Sequence, residues 1–570
     1  MKNGPHACRC AAALPPKGAF SSWGGPAMKN DPHACRCAAA LPPKGAFSSW
    51  GGPAMKRTSL FFAAIAAWLA MLSWVRPLML PDEGRYAGVA WEMLRSHSHA
   101  VPLLNGMPYF HKPPLFYWLA EASFSVFGLN EFAARLPSVL AAWLAAVGLY
   151  LFLRRRRDVG TAAVAALILV TLPFFYGAAQ FANLDMLVAS LISLCILAGA
   201  EALLRAREGG SARGMMLACA ALAGLAVLAK GLIGVALPAA VLMLWVASAR
   251  RWTELRVLLW PPAIGVFLLV AVPWFWLMQL RYPEFFHYFF IYQQFERFSA
   301  GGFNNVQPAW FYLPVLAGLA LPWSAWAAGL FDKRFWTAPR GELRRLALVW
   351  LAVILAFFSI PSSKLIGYVV PALPAFAFLL AEVVMSVRRS GRSLRWRRLF
   401  PLSVMGAATL CGAAMAAAAA YSHHGPKALA IDIGARLRPG DTLVALHEYP
   451  FQLQLYSRSP APIWVVDDWL DPQIPLRDNW RKELYDAAHF DPVQGQQVLL
   501  SDRLLRERLC GAPAGTRYWI WGSADDATRK PLLASRQPVL GEGRSRVWLV
   551  EAGDGLMRQA CGETPIAGLQ

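Results

Sequence analysis

Residues 59–86 read SLFFAAIAAWLAMLSWVRPLMLPDEGRY. Between Ser59 and Leu80 the one charge is Arg76, and the run matches the roughly 20 apolar residues that cross a bilayer. It breaks at Pro81 into two adjacent acids, Asp82 and Glu83, and the segment from Ala87 to Leu94 has the spacing of an amphipathic helix. Acids at such a point have two physical uses. They favour a helix N-terminus, whose first N–H groups lack partners, and at a membrane boundary an ionisable group is costly unless it is paired or does chemistry.

Ten further apolar runs follow, at Phe132 to Leu153, Gly160 to Tyr176, Asp185 to Leu204, Gly214 to Ala229, Gly231 to Ser248, Leu258 to Leu280, Ala309 to Phe331, Leu346 to Ile360, Ile366 to Val387 and Pro401 to Tyr421. With 57% hydrophobic and 16% charged residues, the chain is too apolar for a soluble multidomain enzyme. Its formal charge of +21 comes from groups such as Arg154 to Arg157, Arg205 and Arg207, Arg250 and Arg251, and Arg388 to Arg398, each just beyond an apolar run. That placement makes them topology signals held in the cytoplasm and excludes a nucleic-acid surface. The same rule puts loops 81–131 and 281–308 and the region after Tyr421 outside.

Residues 1–54 are two copies of one 27-residue unit, differing at Gly4 against Asp31, with no apolar period. They read as a duplicated leader outside the fold. Residues 55–420 form the membrane part. After it, β-rich runs such as Thr442 to Leu446 and Arg517 to Trp521 alternate with helical stretches, which predicts a soluble α/β domain over 421–570. Cys510 and Cys561 lie within it, and outside the cytoplasm those two are able to pair.

Five polar clusters fall on the outer face: Asp82-Glu83-Gly84-Arg85; His111-Lys112-Pro113; Asn183-Leu184-Asp185; Gln294 to Arg297; and Ser363-Lys364 with Tyr368. Arg85, Lys112, Arg297 and Lys364 have the chemistry of a phosphate clamp, while Asp82, Glu83 and Asp185 suit a cationic or hydroxylated group or a proton transfer. Lys230-Gly231 reads as an inter-helix turn. The aromatic segment 281–307 reads either as an interfacial belt or as a lid hinged at Gly301 and Gly302.

The stretches LPDEGRYA (80–87), FHKPPLFYWL (110–119), ANLDM (182–186) and SSKLIGYVVPALP (362–374) together resemble the GT-C glycosyltransferases related to protein O-mannosyltransferases, and among them the bacterial lipid A aminoarabinose transferases. The resemblance implies a polytopic α-helical membrane protein of GT-C type, with about 11 to 13 transmembrane helices and a C-terminal soluble α/β domain, in the bacterial inner membrane with its active site facing the periplasm. It implies transfer of 4-amino-4-deoxy-L-arabinose from undecaprenyl phosphate to a lipid A phosphate, and with it resistance to polymyxin and cationic peptides. The roles it implies are catalytic for Asp82, Asp185 and Glu83; donor-phosphate binding for Lys112, Arg85, Arg297, Tyr368 and Lys364; and substrate binding for Tyr86, Tyr109, His111 and Tyr292. His111 stands where many relatives carry an acid, which leaves open a divalent metal held by Glu83, His111 or His287; the sequence itself requires no cofactor. Its expected partners are the lipid-linked sugar donor, lipid A and membrane lipids, and no nucleic acid. Two alternatives stay open, transfer to protein Ser or Thr and transport of a lipid-linked sugar.

Overall fold

The computed structural model describes residues 53–296, 305–337, 341–389, 394–422 and 427–562. Nearly all of the duplicated leader, together with Arg297 and the Gly301-Gly302 hinge, lies outside the described residues. The described residues from Thr58 onward form one compact unit.

Among the described residues six helices are long and apolar enough to cross a membrane: Glu131–Arg156, Leu184–Arg207, Arg213–Lys230, Pro261–Arg281, Ile366–Arg389 and Arg398–Ser422. The pair Val159–Thr171 and Pro173–Ala179, bent by 65°, makes a seventh if it counts as one span. Of the other apolar runs, Leu346 to Ile360 lies in the unbroken 19-residue helix Gly341–Ser359, whose first turns carry Glu342, Arg344 and Arg345, and the rest are short or broken. Pro173 starts a new helix after the Leu172 bend, and Pro322 separates Tyr312–Leu319 from the 3-10 turns Trp323–Phe331. Ile233–Ser248 has 16 residues.

The first run departs most from expectation. Its helix covers Pro53–Ala70 and stops ten residues before Leu80. The backbone beyond Ala70 spends its carbonyls on a side chain: Arg135 donates from Nη1 to Ser73 O (2.8 Å) and Arg76 O (2.9 Å), and from Nη2 to Pro77 O (2.9 Å). The next helix, Asp82–Ser96, then begins with Asp82 and Glu83 in its first turn.

Glu83 is fully buried and takes five hydrogen bonds. Its Oε1 accepts from Arg135 Nε (2.8 Å) and the Ala182 N–H (2.8 Å); its Oε2 accepts from Arg135 Nη2 (3.1 Å), the Met79 N–H (2.9 Å) and Arg76. Burial alone would push this carboxyl up, but Arg135 and then Arg76 more than offset it and hold it below the usual carboxylate range. Arg76 Nη2 continues to Gln180 O (2.8 Å), so one carboxylate ties the Asp82 turn to the ends of two apolar helices.

The bundle has two chemically different ends. At one end the arginines that mark topology meet glutamates: Arg155, Arg156 and Arg205 converge on Glu201, Arg207 on Glu254 and Glu342, and Arg157 and Arg344 on Glu382. The other end carries the Asp82 turn, the start of Leu184–Arg207 and the finish of Arg213–Lys230.

A two-residue ladder, β1 (Leu103–Leu104) with β2 (Met107–Pro108), sits in the loop 81–131. Beyond the last span, β3 (Thr442–Leu446), β4 (Trp464–Val466), β5 (Leu499–Leu500), β6 (Arg517–Ser523), β7 (Leu540–Glu542) and β8 (Ser545–Glu551) form a sheet in the order β5-β4-β3-β6-β8-β7. β3 pairs parallel with β4 and β6, and β8 runs antiparallel beside β6. Side chains alternate between its faces. Leu443, Ala445, Val465, Trp519 and Trp521 join the core that continues into the membrane helices, while Val444, Leu446, Val466 and Ile520 pack against Leu505, Leu509 and Met557. Cys510 and Cys561 form a disulfide on that second layer.

Removing one partner of a buried ion pair leaves an uncompensated charge, at a cost of about 3–5 kcal/mol. Arg135→Met is therefore expected to destabilise the protein by that amount, read as loss of folded protein in a thermal ramp in detergent. Arg503→Glu, at a 90% exposed side chain, should leave the profile unchanged.

Candidate active site

Asp82 sits one residue from Glu83 in a different environment. Its side chain is 45% exposed and pairs with Arg85 one turn on. Burial pushes the Asp82 carboxyl above the usual carboxylate range; Arg85 opposes this, while neighbouring Asp185 and Glu483 add to it. Arg85 itself lies between Asp82 and Glu483, with its guanidinium carbon 5.0 Å from the Tyr86 ring centre and 5.7 Å from that of Phe451. Expected to bind phosphate, it is bonded to two carboxylates in this arrangement.

The second acid is placed by its helix. Asn183 caps Leu184–Arg207 by accepting from the Asp185 N–H (3.0 Å), which fixes Asp185 in the first turn. Its carboxylate pairs with Lys230, and the Lys230 ammonium lies 4.6 Å from the Tyr368 ring centre. Gly367 makes this approach possible: a Cβ there would stand 2.8 Å from Asp185 Oδ2. Lys230 was read as part of a turn. It does end a helix, but it also completes this acid–base pair. The signal was present in the sequence, since a lone lysine between two apolar runs is costly unless it has a partner.

The region after the last span enters the site through the helix Trp480–Phe490. Glu483 binds Arg85 and accepts from Tyr109 Oη (3.0 Å). Asp486 Oδ2 accepts from Tyr288 Oη (3.0 Å) and stands 3.3 Å from His111 Nε2. Burial would raise the Asp486 carboxyl, but His111, with Lys482 and Tyr288 beside it, holds it below its usual range. Tyr109 stacks on His111 at 4.7 Å, and Lys482 stands 5.1 Å from the Tyr292 ring centre. No sequence pattern announces Glu483, which lies 398 residues from Arg85. The segment Phe451-Gln452 reaches the Asp82–Ser96 helix because that face carries glycines: a Cβ on Gly84 would meet Gln452 Oε1 at 2.8 Å, and one on Gly88 the Phe451 carbonyl at 3.1 Å.

The other expected residues fall into distinct places. Lys112 is partly buried in the turn before the helix Leu115–Phe127. Lys364 is buried and donates to Gln307 O (2.9 Å) and Pro361 O, where it joins the two strands of a loop crossing. Tyr86 is buried with its ring 5.9 Å from Phe116. His287 is exposed, and among the described residues no three His, Cys, Asp or Glu side chains gather into a metal-holding group. The aromatic segment turns inward rather than forming only a belt: Phe285 and Phe289 are fully buried with Phe110, Trp274 and Phe275, and Tyr288 packs on Phe490 at 5.1 Å.

Residues 111–276 match the dolichyl-phosphate-mannose-protein mannosyltransferase family. The chain is 31% identical over 441 residues to the undecaprenyl phosphate-alpha-4-amino-4-deoxy-L-arabinose arabinosyl transferase of Pseudomonas aeruginosa PAO1, covering 75% of this chain and 78% of that one. The chain belongs to that transferase family. The corresponding protein of Enterobacter sp. strain 638 is 34% identical over 56% of this chain, a match that spans 58% of the relative's length. In structure, the chain is similar to the ArnT of Cupriavidus metallidurans crystallised with undecaprenyl phosphate: TM-score 0.74 and 26% identity, over 88% of this chain and 99% of that one. The apo form of the same protein gives a TM-score of 0.73.

Two substitutions test this arrangement. Glu483→Ala frees Arg85 to bind Asp82 alone and removes the acceptor of Tyr109; transfer by purified enzyme is expected to fall at least about tenfold, the worth of one charge-assisted bond. Gly367→Ala forces the Asp185 carboxylate to turn away from its place, and is expected to lower kcat about tenfold or more while the melting temperature stays within a few degrees of wild type.

Proposed function

We propose that the protein transfers 4-amino-4-deoxy-L-arabinose from undecaprenyl phosphate to a phosphate of lipid A, at the periplasmic face of the inner membrane. The observation that carries this reading is the convergence of Asp82–Arg85–Glu483 and Asp185–Lys230–Tyr368 at one end of the bundle, in a chain of this family. Support for the outward side comes from the Cys510–Cys561 pair, since disulfides persist in oxidising compartments, and from arginines collected at the opposite end. The reading includes eleven crossings, the short and broken runs counted with the long ones, and a soluble α/β domain after the last of them.

The second ionisation of a phosphate monoester lies near 6. At neutral pH the acceptor oxygen is already an anion, and no strong general base is required. That oxygen attacks the anomeric carbon; the bond to the carrier phosphate breaks and its electron pair leaves with undecaprenyl phosphate, so direct displacement inverts the centre. Asp82, held by Arg85, stabilises positive charge developing on the sugar, and Asp185 beside it receives the sugar's ammonium group. Lys112 and Arg297 take the charge that gathers on the leaving phosphate. Arg85 and Glu83 support the site, Arg85 by orienting Asp82 and Glu83 by fixing the turn. Tyr86, Tyr109, His111 and Tyr292 line the substrate side, and Lys364 holds the loop that carries Tyr368.

The family match to protein mannosyltransferases favours a second acceptor, a Ser or Thr hydroxyl. Transfer from labelled donor to purified lipid A, set against a Ser/Thr peptide, decides between them. Lipid A labelling is expected, with Asp82→Asn reduced by about 100-fold or more at every pH. Because burial raises the Asp82 carboxyl, the wild-type rate should decline on acidification at a pH above the ordinary aspartate value of 3.8. Peptide labelling without lipid A labelling would reject the acceptor while leaving the family in place.

A further inference from the structure

A cavity of 730 Å³, with none of the Asp82 site residues in its lining, lies where the start of the span Glu131–Arg156 meets the helix Lys427–Arg436 and the segment Tyr456 to Pro460. Its charged lining is Glu131, Lys427, Arg438 and Arg458, an excess of two positive charges. Glu131 is the first residue of its span, and Lys427 opens the helix that follows the last span, so the cavity lies at the level where apolar helices leave the bilayer. Its surroundings are apolar and uncovered. Ile431, on its wall, is 45% exposed; Val126 and Phe127, 73% and 52% exposed, end the helix whose carbonyl at Phe127 accepts from the Asn130 side chain on the cavity wall.

We propose that this cavity binds the phosphate headgroup of an anionic membrane lipid, separately from the sugar donor. The cations meet the phosphate, and the acyl chains lie along Val126, Phe127 and Ile431. This division matches the chemistry of an interfacial lipid site, where basic side chains at the span ends recognise anionic headgroups. The volume falls in the range of small-ligand pockets, about 300–1,000 Å³, enough for a phosphate with its glycerol or sugar but not for the chains.

The site is wired to the catalytic turn. Lys427 pairs with Glu131, Tyr456 Oη donates to Glu131 Oε1 (2.9 Å), and the same hydroxyl accepts from the Leu78 N–H (3.1 Å), four residues before Asp82. A phosphate that draws Lys427 away from Glu131 changes the partners of a carboxylate two bonds from that backbone.

Binding is measured without reference to transfer, so its failure is distinguishable from failure of the proposed reaction. The full chain is purified in detergent, and native mass spectrometry counts retained dioleoylphosphatidylglycerol against dioleoylphosphatidylcholine. Preferential retention of phosphatidylglycerol is expected, reduced at least about tenfold by the double variant Arg438→Glu, Arg458→Glu and also by Lys427→Gln, with Arg503→Glu unchanged. The double variant alters exposed side chains and keeps the test valid if Lys427→Gln fails to fold. Equal retention of the two lipids, or equal retention by wild type and the double variant, would overturn the proposal. Complete displacement of phosphatidylglycerol by millimolar inorganic phosphate would assign the pocket to a soluble phosphate and overturn the lipid.

Discussion

One buried carboxylate organises the end of the bundle that carries the candidate site. Glu83 has no exposure to solvent, and an ionised group so placed is tolerable only when its oxygens are fully bonded. Arg135 and Arg76 meet that condition, and in doing so they commit the carbonyls of Ser73, Arg76, Pro77 and Gln180. The first helix therefore ends at Ala70, the chain crosses the face of the bundle as irregular backbone, and the Asp82–Ser96 helix starts where Glu83 stops it.

This arrangement explains why two neighbouring acids sit in different environments. A helical step of one residue turns the side chain by about 100°, enough to send Glu83 into the bundle and leave Asp82 at its surface. Glu83 holds its charge because two guanidiniums surround it. Asp82 meets one guanidinium, shared with Glu483, and two neighbouring carboxylates, so its charge is less well compensated. A poorly compensated carboxylate at an open position is available to a cationic centre, which is the property the proposed transition state requires.

The sheet region contributes through contacts that no local rule demands. One face of β3 and β6 belongs to the same core as the membrane helices, and that packing sets Trp480–Phe490 over the outer loop. Glu483 and Asp486 then bind Arg85, Tyr109, His111 and Tyr288, which come from three separate stretches of the membrane part. The sheet region thus packs directly against the candidate site, although as a sequence it carries no catalytic motif.

The sequence by itself determined that the chain is a multi-pass membrane protein and that Asp82 and Asp185 stand at helix starts. Hydropathy and charge placement act locally, along the chain, and so are legible in it. Its spacing also carried the family resemblance. The sequence did not determine which polar residues pair. Lys230 reaches Asp185 across 45 residues and Arg135 reaches Glu83 across 52. Nor did it separate Arg85 and Lys364, both read as phosphate ligands, from their carboxylate and carbonyl partners. Desolvation makes each buried charge find an opposite charge or a full set of dipoles, and which partner is within reach is fixed by helix packing in three dimensions. That is why only the tertiary structure assigned Glu83 to the frame and Asp82 to the open site.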